Sequence, residues 1–349
     1  MATAFADVID QDEPDARGAA IPPATGAAPE QEPAAAPATR RPGKLGLWLK
    51  SLLPPLLGIG AFLALWAVLA PQVETSLGAL PGPVEVGAQG AALYDEWSAA
   101  SAAEAQFYAD QDARNAAAVA AGNPGAVQDF AWSGAPSFPD QILTSLKTVA
   151  LGFVLATLVA VPIGLVCGLS PLVNAAINPL VQIMKPVSPL AWLPIVTMVV
   201  SATITGADPL LAKSFVISAI VVMLCSLWPT LINTAVGAAS IDKDLLNVGR
   251  VLRLGWFAKL TRLVLPSSLP YIFTGMRLSL GVGWMVLIAA EMLSQNPGLG
   301  KFVWDEFQNG SSQSLARIMF AVVVIGFIGF ALDRIMMALQ AFVSRNRMA

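Results

Sequence analysis

Residues 240–266 read SIDKDLLNVGRVLRLGWFAKLTRLVLP, a charged, amphipathic interruption between two long apolar runs. Ser240 stands where it can cap a helix whose first turn carries Asp242 and Asp244, and negative charge suits a helix N-terminus. That helix is predicted to run to about Leu254. It puts Leu245, Val248 and Leu252 on one face and Lys243, Asn247 and Arg250 on the other. Gly255 offers a stop, a second short helix starts near Trp256, and Pro266 and Pro270 break the chain beyond it. The stretch reads as a helix–turn–helix at a membrane surface. It either lies on anionic lipid or presents a short helix to a soluble partner.

The composition supports a membrane setting. The chain has 349 residues, 56% hydrophobic and only 12% charged. That is about half the charge of an ordinary soluble domain, too little to cover a soluble surface of this size. A net charge of −3 argues against a basic nucleic-acid binder. There is no histidine, which removes the commonest metal ligand and general base. Cys167 and Cys225 both fall in apolar text with no CxxC spacing, so they read as core or lipid-facing residues.

Charge is unevenly spread. Residues 1–42 are Ala/Pro-rich with little to bury and are expected to be a disordered tail. Arg40, Arg41, Lys44 and Lys50 then precede the first uncharged run, which ends near residue 73. Residues 71–140 carry nine acids and one base, Arg114. Further apolar blocks cover about 142–168, 173–203, 212–236, 270–293 and 315–341, giving six spans of the length a bilayer needs. The basic cluster before the first span puts the N-terminus in the cytoplasm. Alternation then puts residues 71–140 outside and 238–268 inside, where Lys243, Arg250, Arg253, Lys259 and Arg262 are found. Arg345 and Arg347 place the C-terminus inside as well. No transit peptide is apparent, which favours a bacterial inner membrane.

Two regions depart from plain spans. Residues 84–121 are Ala-rich, with Leu93, Trp97 and Tyr108 as anchors and a stop at Gly122–Asn123–Pro124–Gly125. They predict one or two helices over the outer face, as a packing cap or as a docking surface. The third span contains Lys185, Pro186, Pro189 and Pro194. Prolines so close together free backbone carbonyls, which protein or a water-filled cavity must satisfy. The break is either a feature of a transport pathway or a packed kink. Lys185 favours the cavity unless it snorkels to the interface.

At this point the chain resembles the membrane subunit of binding-protein-dependent ABC importers, whose cytoplasmic signature has the form E-A-A-x3-G-x9-I-x-L-P. Counted back from Leu265-Pro266, Leu263 takes the Ile position, Arg253 the Gly position, and Asn247, Val248 and Gly249 the E-A-A positions. Asn therefore stands for Glu, and Arg for Gly, with Gly255 two residues later. The stretches KPVSPLAWLPIVTMVVSA (185–202), DLLNVGRVLRL (244–254), VLPSSLPYIFTGMRLSLGVGWMVLIAAEML (264–293) and GLGKFVWDEF (298–307) resemble the nitrate branch of that family, whose relatives carry nitrate, nitrite, cyanate, bicarbonate, taurine or alkanesulfonates. The likeness covers about 137–343.

The resemblance implies an all-α, six-helix type I permease fold with both termini cytoplasmic. Together with the charge and apolar pattern, it divides the chain into a tail (1–42, which the resemblance does not include), a first transmembrane helix (43–73), a periplasmic helical insert (74–140) and a core permease domain (141–343). It implies coupling of Asp244, Leu246, Asn247, Val248, Gly249, Arg250, Arg253, Gly255 and Pro266 to a cytoplasmic ATPase subunit. It also implies a periplasmic or lipid-anchored substrate-binding protein and a second permease copy. The chain holds no cofactor of its own. Gly43-Lys44 and Gly300-Lys301 are followed by Leu45 and Phe302, so neither is a phosphate-binding loop, and ATP and Mg belong to the partner.

For the pathway, Arg277, Gly281, Trp284, Ile288 and Glu291 recur at helical spacing on one face of span five. Ionised groups in a bilayer need a cavity or a partner, so Arg277 and Glu291 either line the path or form interhelical pairs. Arg277 and Lys185 are the bases that counting places within the spans, and an anion path needs positive potential. Gly275, Ser279 and Gly283 form a second stripe suited to close helix packing. Trp304 and Asp305, with Glu306, either guard the outer mouth or form a solvated turn. A secondary carrier without an ATPase is the competing class, and the signature loop disfavours it.

Overall fold

The structure, a computed structural model, describes residues 44–75, 78–204, 212–311 and 313–345. The expected tail 1–42 and Arg347 lie outside the described residues. The chain divides into two units, one through Leu57 and the other from Gly58 onward. The described part of the first is the opening of helix α1 (Lys44–Leu69). The second holds the rest of α1 and every other described element.

After α1 comes a short antiparallel ribbon, β1 (Glu74–Thr75) with β2 (Gly78–Ala79). The remainder is helical: α2 (Pro83–Ala120), α3 (Phe138–Leu169), α4 (Pro171–Met184), α5 (Pro189–Thr203), α6 (Lys213–Ala239), α7 (Lys243–Val251), α8 (Trp256–Lys259), α9 (Leu265–Ser294), α10 (Leu299–Asn309) and α11 (Ser314–Arg345). Between α8 and α9 the backbone widens into a π-type turn over Leu260–Val264. Among the described residues, five helical spans are long and apolar enough to cross a membrane, and six if α4 and α5 count as one broken span.

Helix α6 is the centre, packed between α3 and α9. Small residues bring the backbones together, as they must where no hydrophobic force drives helices together in lipid. A Cβ at Gly152 or Gly164 of α3 would lie 2.7 Å from the carbonyl oxygens of Ala219 or Leu231 on α6. From the other side, Gly275 of α9 meets the α6 backbone at Pro229 and Thr230, and the Ser279 and Thr230 hydroxyls lie 2.7 Å apart. The stripe Gly275, Ser279 and Gly283 is therefore the face of α9 that packs on α6. Cys167 is buried and Cys225 half-buried, both as free thiols.

Two expectations change, and the insert takes the simpler of its two expected forms. The insert contains a single 38-residue helix, α2, ending before Gly122, whose φ of +76° suits glycine. Leu93 and Val86 are buried, and Gly90 lets the Phe320 ring of α11 approach where any side chain would block it. Residues 298–307, expected as a loop, form helix α10, whose Phe302 packs on Phe138 at a ring separation of 4.9 Å. The third block is two helices with a 101° bend between them. With 14 and 15 residues, neither half reaches about 30 Å at 1.5 Å per residue.

Candidate functional site

The loop between α6 and α9 differs from its expected form at both ends. The cap of α7 is Asp242, whose Oδ1 accepts from the Asp244 N–H at 2.9 Å. Ser240 instead donates to the Gly237 carbonyl and closes α6. The helix stops at Val251 rather than about Leu254. Its end is a Schellman turn: Leu254 N–H donates to Gly249 O (3.0 Å) and Arg253 N–H to Arg250 O (2.9 Å). That turn needs a left-handed residue, and Arg253 takes the position with φ +50°. The signature's glycine falls at this place, so its physical basis is the reversal of the chain, which Arg253 completes against its own Cβ. Gly255 has an extended backbone and caps α8.

Gly249 is buried, and a Cβ there would lie 2.7 Å from Leu263 Cδ1, so the loop folds on itself through this residue. Asn247 accepts from the Arg250 guanidinium at 3.2 Å. Leu246 lies on α7, but its side chain is outside the described residues. Pro266 opens α9. Ile241 and Leu260, at the two ends of the loop, join the cluster around Leu165 and Ala238, but the apolar side chains at its tip do not pack on the bundle: Val251 is 82% exposed, Phe257 71%, Trp256 67% and Leu252 64%. Leu245 and Val248 are exposed as well.

At the α4–α5 bend, Lys185 and Pro186 are exposed, and Pro189 is half-buried at the first turn of α5. Ser188 caps α5, its hydroxyl accepting from Leu190 N–H at 3.3 Å. Here four residues join two helices that prolines prevent from fusing.

The face of α9 that carries Arg277 and Glu291 meets two different neighbours. Lower down it meets α11, where Arg277 Nε and Nη2 donate to Asp333 Oδ1 and Oδ2 at 2.5 and 3.0 Å. Arg334 Nη2 stands 3.6 Å from the same carboxylate, and its guanidinium lies 4.7 Å from the centre of the Phe330 ring. Arg334 is thus a further base within the spans, beyond Lys185 and Arg277. Beside this cluster is a cavity of about 250 Å³ lined by Arg277, Leu280, Gly281, Trp284, Gly329, Leu332 and Asp333. Trp284 is fixed as its wall by donating Nε1–H to the Ile325 carbonyl at 3.0 Å.

Glu291 is enclosed. Its two oxygens lie 2.9 and 2.8 Å from the Ser145 hydroxyl of α3, and Gly300 N–H and the Asn296 amide also donate to it, at 3.0 and 3.4 Å. Ser145 in turn accepts from Leu299 N–H. The carboxyl therefore clasps the start of α10 to α3 and α9, and it does not meet Arg277. Of the outer residues, Asp305 pairs with Lys301 at 2.5 Å and Trp304 stacks near Phe307. Glu306, buried, accepts from Ser314 (2.8 Å) and Arg317 (2.9 Å), and Arg317 also binds Glu96 of α2. Sequence reasoning did not reach Asp333, Ser145, Asn296 or Arg317. A signal existed for Asp333, the one acid in the block 315–341; none existed for Ser145.

A bundle of apolar helices with charges paired inside it, and an apolar loop left uncovered, is a multi-pass membrane component. Among known proteins, the chain is 35% identical over 312 residues to the bicarbonate transport system permease protein CmpB of Synechococcus elongatus, covering 88% of this chain and 95% of that one. The nitrate import permease protein NrtB of the same organism is 32% identical over 289 residues, 82% of this chain and 88% of that one. NrtB of Synechocystis is 37% identical over 204 residues, 58% and 69%. The chain belongs to the binding-protein-dependent transport system inner membrane component family, whose model matches residues 160–347. It is an ABC importer permease subunit in the inner membrane and not an enzyme.

Proposed function

We propose that this chain, as two copies, forms the membrane path of an ATP-driven importer of nitrate, with nitrite and cyanate as close substrates. Both termini and the α7–α8 loop face the cytoplasm, and α10 and α2 face an external binding protein. The loop docks on an ATPase subunit that holds ATP and Mg. Lys185, Pro186, Pro189, Arg277 and Trp284 border the path, Glu291 holds its outer end, and Trp304 and Asp305 lie at the mouth.

The observation that carries the coupling assignment is the uncovered surface of Val251, Leu252, Trp256 and Phe257. Four large apolar groups at a surface loop mark a contact waiting for a partner. The test replaces Val251 and Phe257 with Asp and leaves Gly249 alone, because Gly249 holds the loop together. Co-purification of the ATPase should be lost while the spans still insert. Retained assembly and uptake would return the loop to the lipid surface.

For the substrate, nitrate and bicarbonate are both supported by relatives, so bicarbonate is the second reading. Vesicles containing the whole complex, loaded with ATP on the loop side, should take up labelled nitrate. Uptake of bicarbonate, taurine or an alkanesulfonate instead would replace the substrate and leave the importer standing.

A further inference from the structure

Arg277 and Asp333 meet edge to edge, and this leaves half of the guanidinium unused. Asp333 takes the fork formed by Nε and Nη2. A guanidinium has a second fork, made of Nη1 and the remaining Nη2 hydrogen, with the same spacing for a planar anion. Nη1 makes no hydrogen bond among the described residues. The side chain keeps 40% exposure and borders the 250 Å³ cavity. Gly281, one turn on and lining the same cavity, has no heavy atom within 4 Å of where a Cβ would be, so that wall of the cavity stays open.

The charge also fits. Arg277 and Arg334 share the single carboxylate of Asp333, which leaves one formal positive charge in the cluster. Uncovered charges inside a spanning helix are costly against lipid and are expected to face water or protein. A neighbouring carboxylate limits how tightly a second anion is held, and a step in a path must hold its ion weakly enough to release it.

We propose that the free fork of Arg277, oriented by Asp333 and walled by Trp284, is a transient site for a small planar monovalent oxyanion. The inference rests on the importer reading and deepens it. Asp333 is the positioning residue, and Arg277 is the one that touches the anion.

The test uses the whole complex in proteoliposomes with nitrate as the probe, and with bicarbonate if that is what the unmodified complex carries. R277K keeps the charge and the ion pair but has no fork. It should assemble and hydrolyse ATP normally while uptake falls about ten- to a hundredfold, the weight of a charge-assisted bidentate contact. Normal uptake in R277K overturns the site. If R277K fails to assemble, the double variant R277Q/D333N decides: lost uptake with normal ATP hydrolysis supports the site, and normal uptake reduces the pair to packing. D333N should lower both the apparent KM and the maximal rate, because the anion is held longer. Unchanged kinetics would remove Asp333 from its role. An unmodified complex that moves neither oxyanion overturns the importer reading itself, a different result from all of these.

Discussion

Arg253 shows how one residue can satisfy a backbone rule from the wrong chemical class. The Schellman turn after α7 requires φ > 0, which costs a residue with a Cβ roughly 1–2 kcal/mol. Arg253→Gly should therefore steady the loop by about 1 kcal/mol, which is about fivefold slower hydrogen exchange at the amides of Arg253 and Leu254. Exchange that is unchanged or faster would mean that the guanidinium makes up for the strain by contacts of its own. Arg253→Val should act in the opposite direction, because a β-branched residue tolerates this region least. The motif position was legible in the sequence. Its reason, a chain reversal closed by Gly249 and Arg250 carbonyls, appears only with the backbone in view.

At the scale of the element, α10 is the clearest case. Its 11 residues are too few to hold a helix alone in water. What orders it is the Glu291 carboxyl at its start, the Phe302 ring on Phe138, and Glu306 with Arg317 at its end. Gly298 and Gly300 make the first of these contacts feasible: a Cβ on Gly298 would lie 2.2 Å from Glu291 Oε1. Glu291→Ala leaves the buried Gly300 N–H without its acceptor and takes away the acceptor of the Ser145 hydroxyl proton, at a cost of about 3 kcal/mol. Gly298→Ala should destabilise by a similar route. The double variant should be little worse than either single one, since both break one clasp. Thermal midpoints of the detergent-purified protein measure this. Fully additive losses would show that the glycine and the carboxyl act separately.

Over the whole molecule, the number of crossings turns on the α4–α5 pair, because five other spans leave the parity open. If the pair is one broken span, both sides of the count agree with the basic clusters. Single cysteines at Ser170 and Ser240, in a chain with Cys167 and Cys225 replaced by Ala, should then react with a membrane-impermeant thiol reagent from one side. Cysteines at Ser137 and Ser311 should react from the other. Labelling of Ser170 and Ser240 from opposite sides would make the pair re-entrant and move the α7–α8 loop to the wrong face for an ATPase.

The sequence by itself determined the membrane setting, the apolar blocks, the proline break near residue 186 and the amphipathic loop at 240–266. Each of these is local: a run long enough for a bilayer, a missing N–H, a charge pattern at helical spacing. The tertiary structure alone decided what the charges do. Arg277 finds its partner 56 residues away and Glu291 finds Ser145 146 residues away, and no spacing rule reaches across such distances. The Glu291–Ser145 pairing arises where small residues draw α3 and α9 onto α6, and the Arg277–Asp333 pairing where Gly329 of α11 lets Trp284 of α9 come close. The same packing leaves Val251, Trp256 and Phe257 uncovered, because α7 and α8 turn back through Gly249 and Leu263 and never reach the bundle's apolar core.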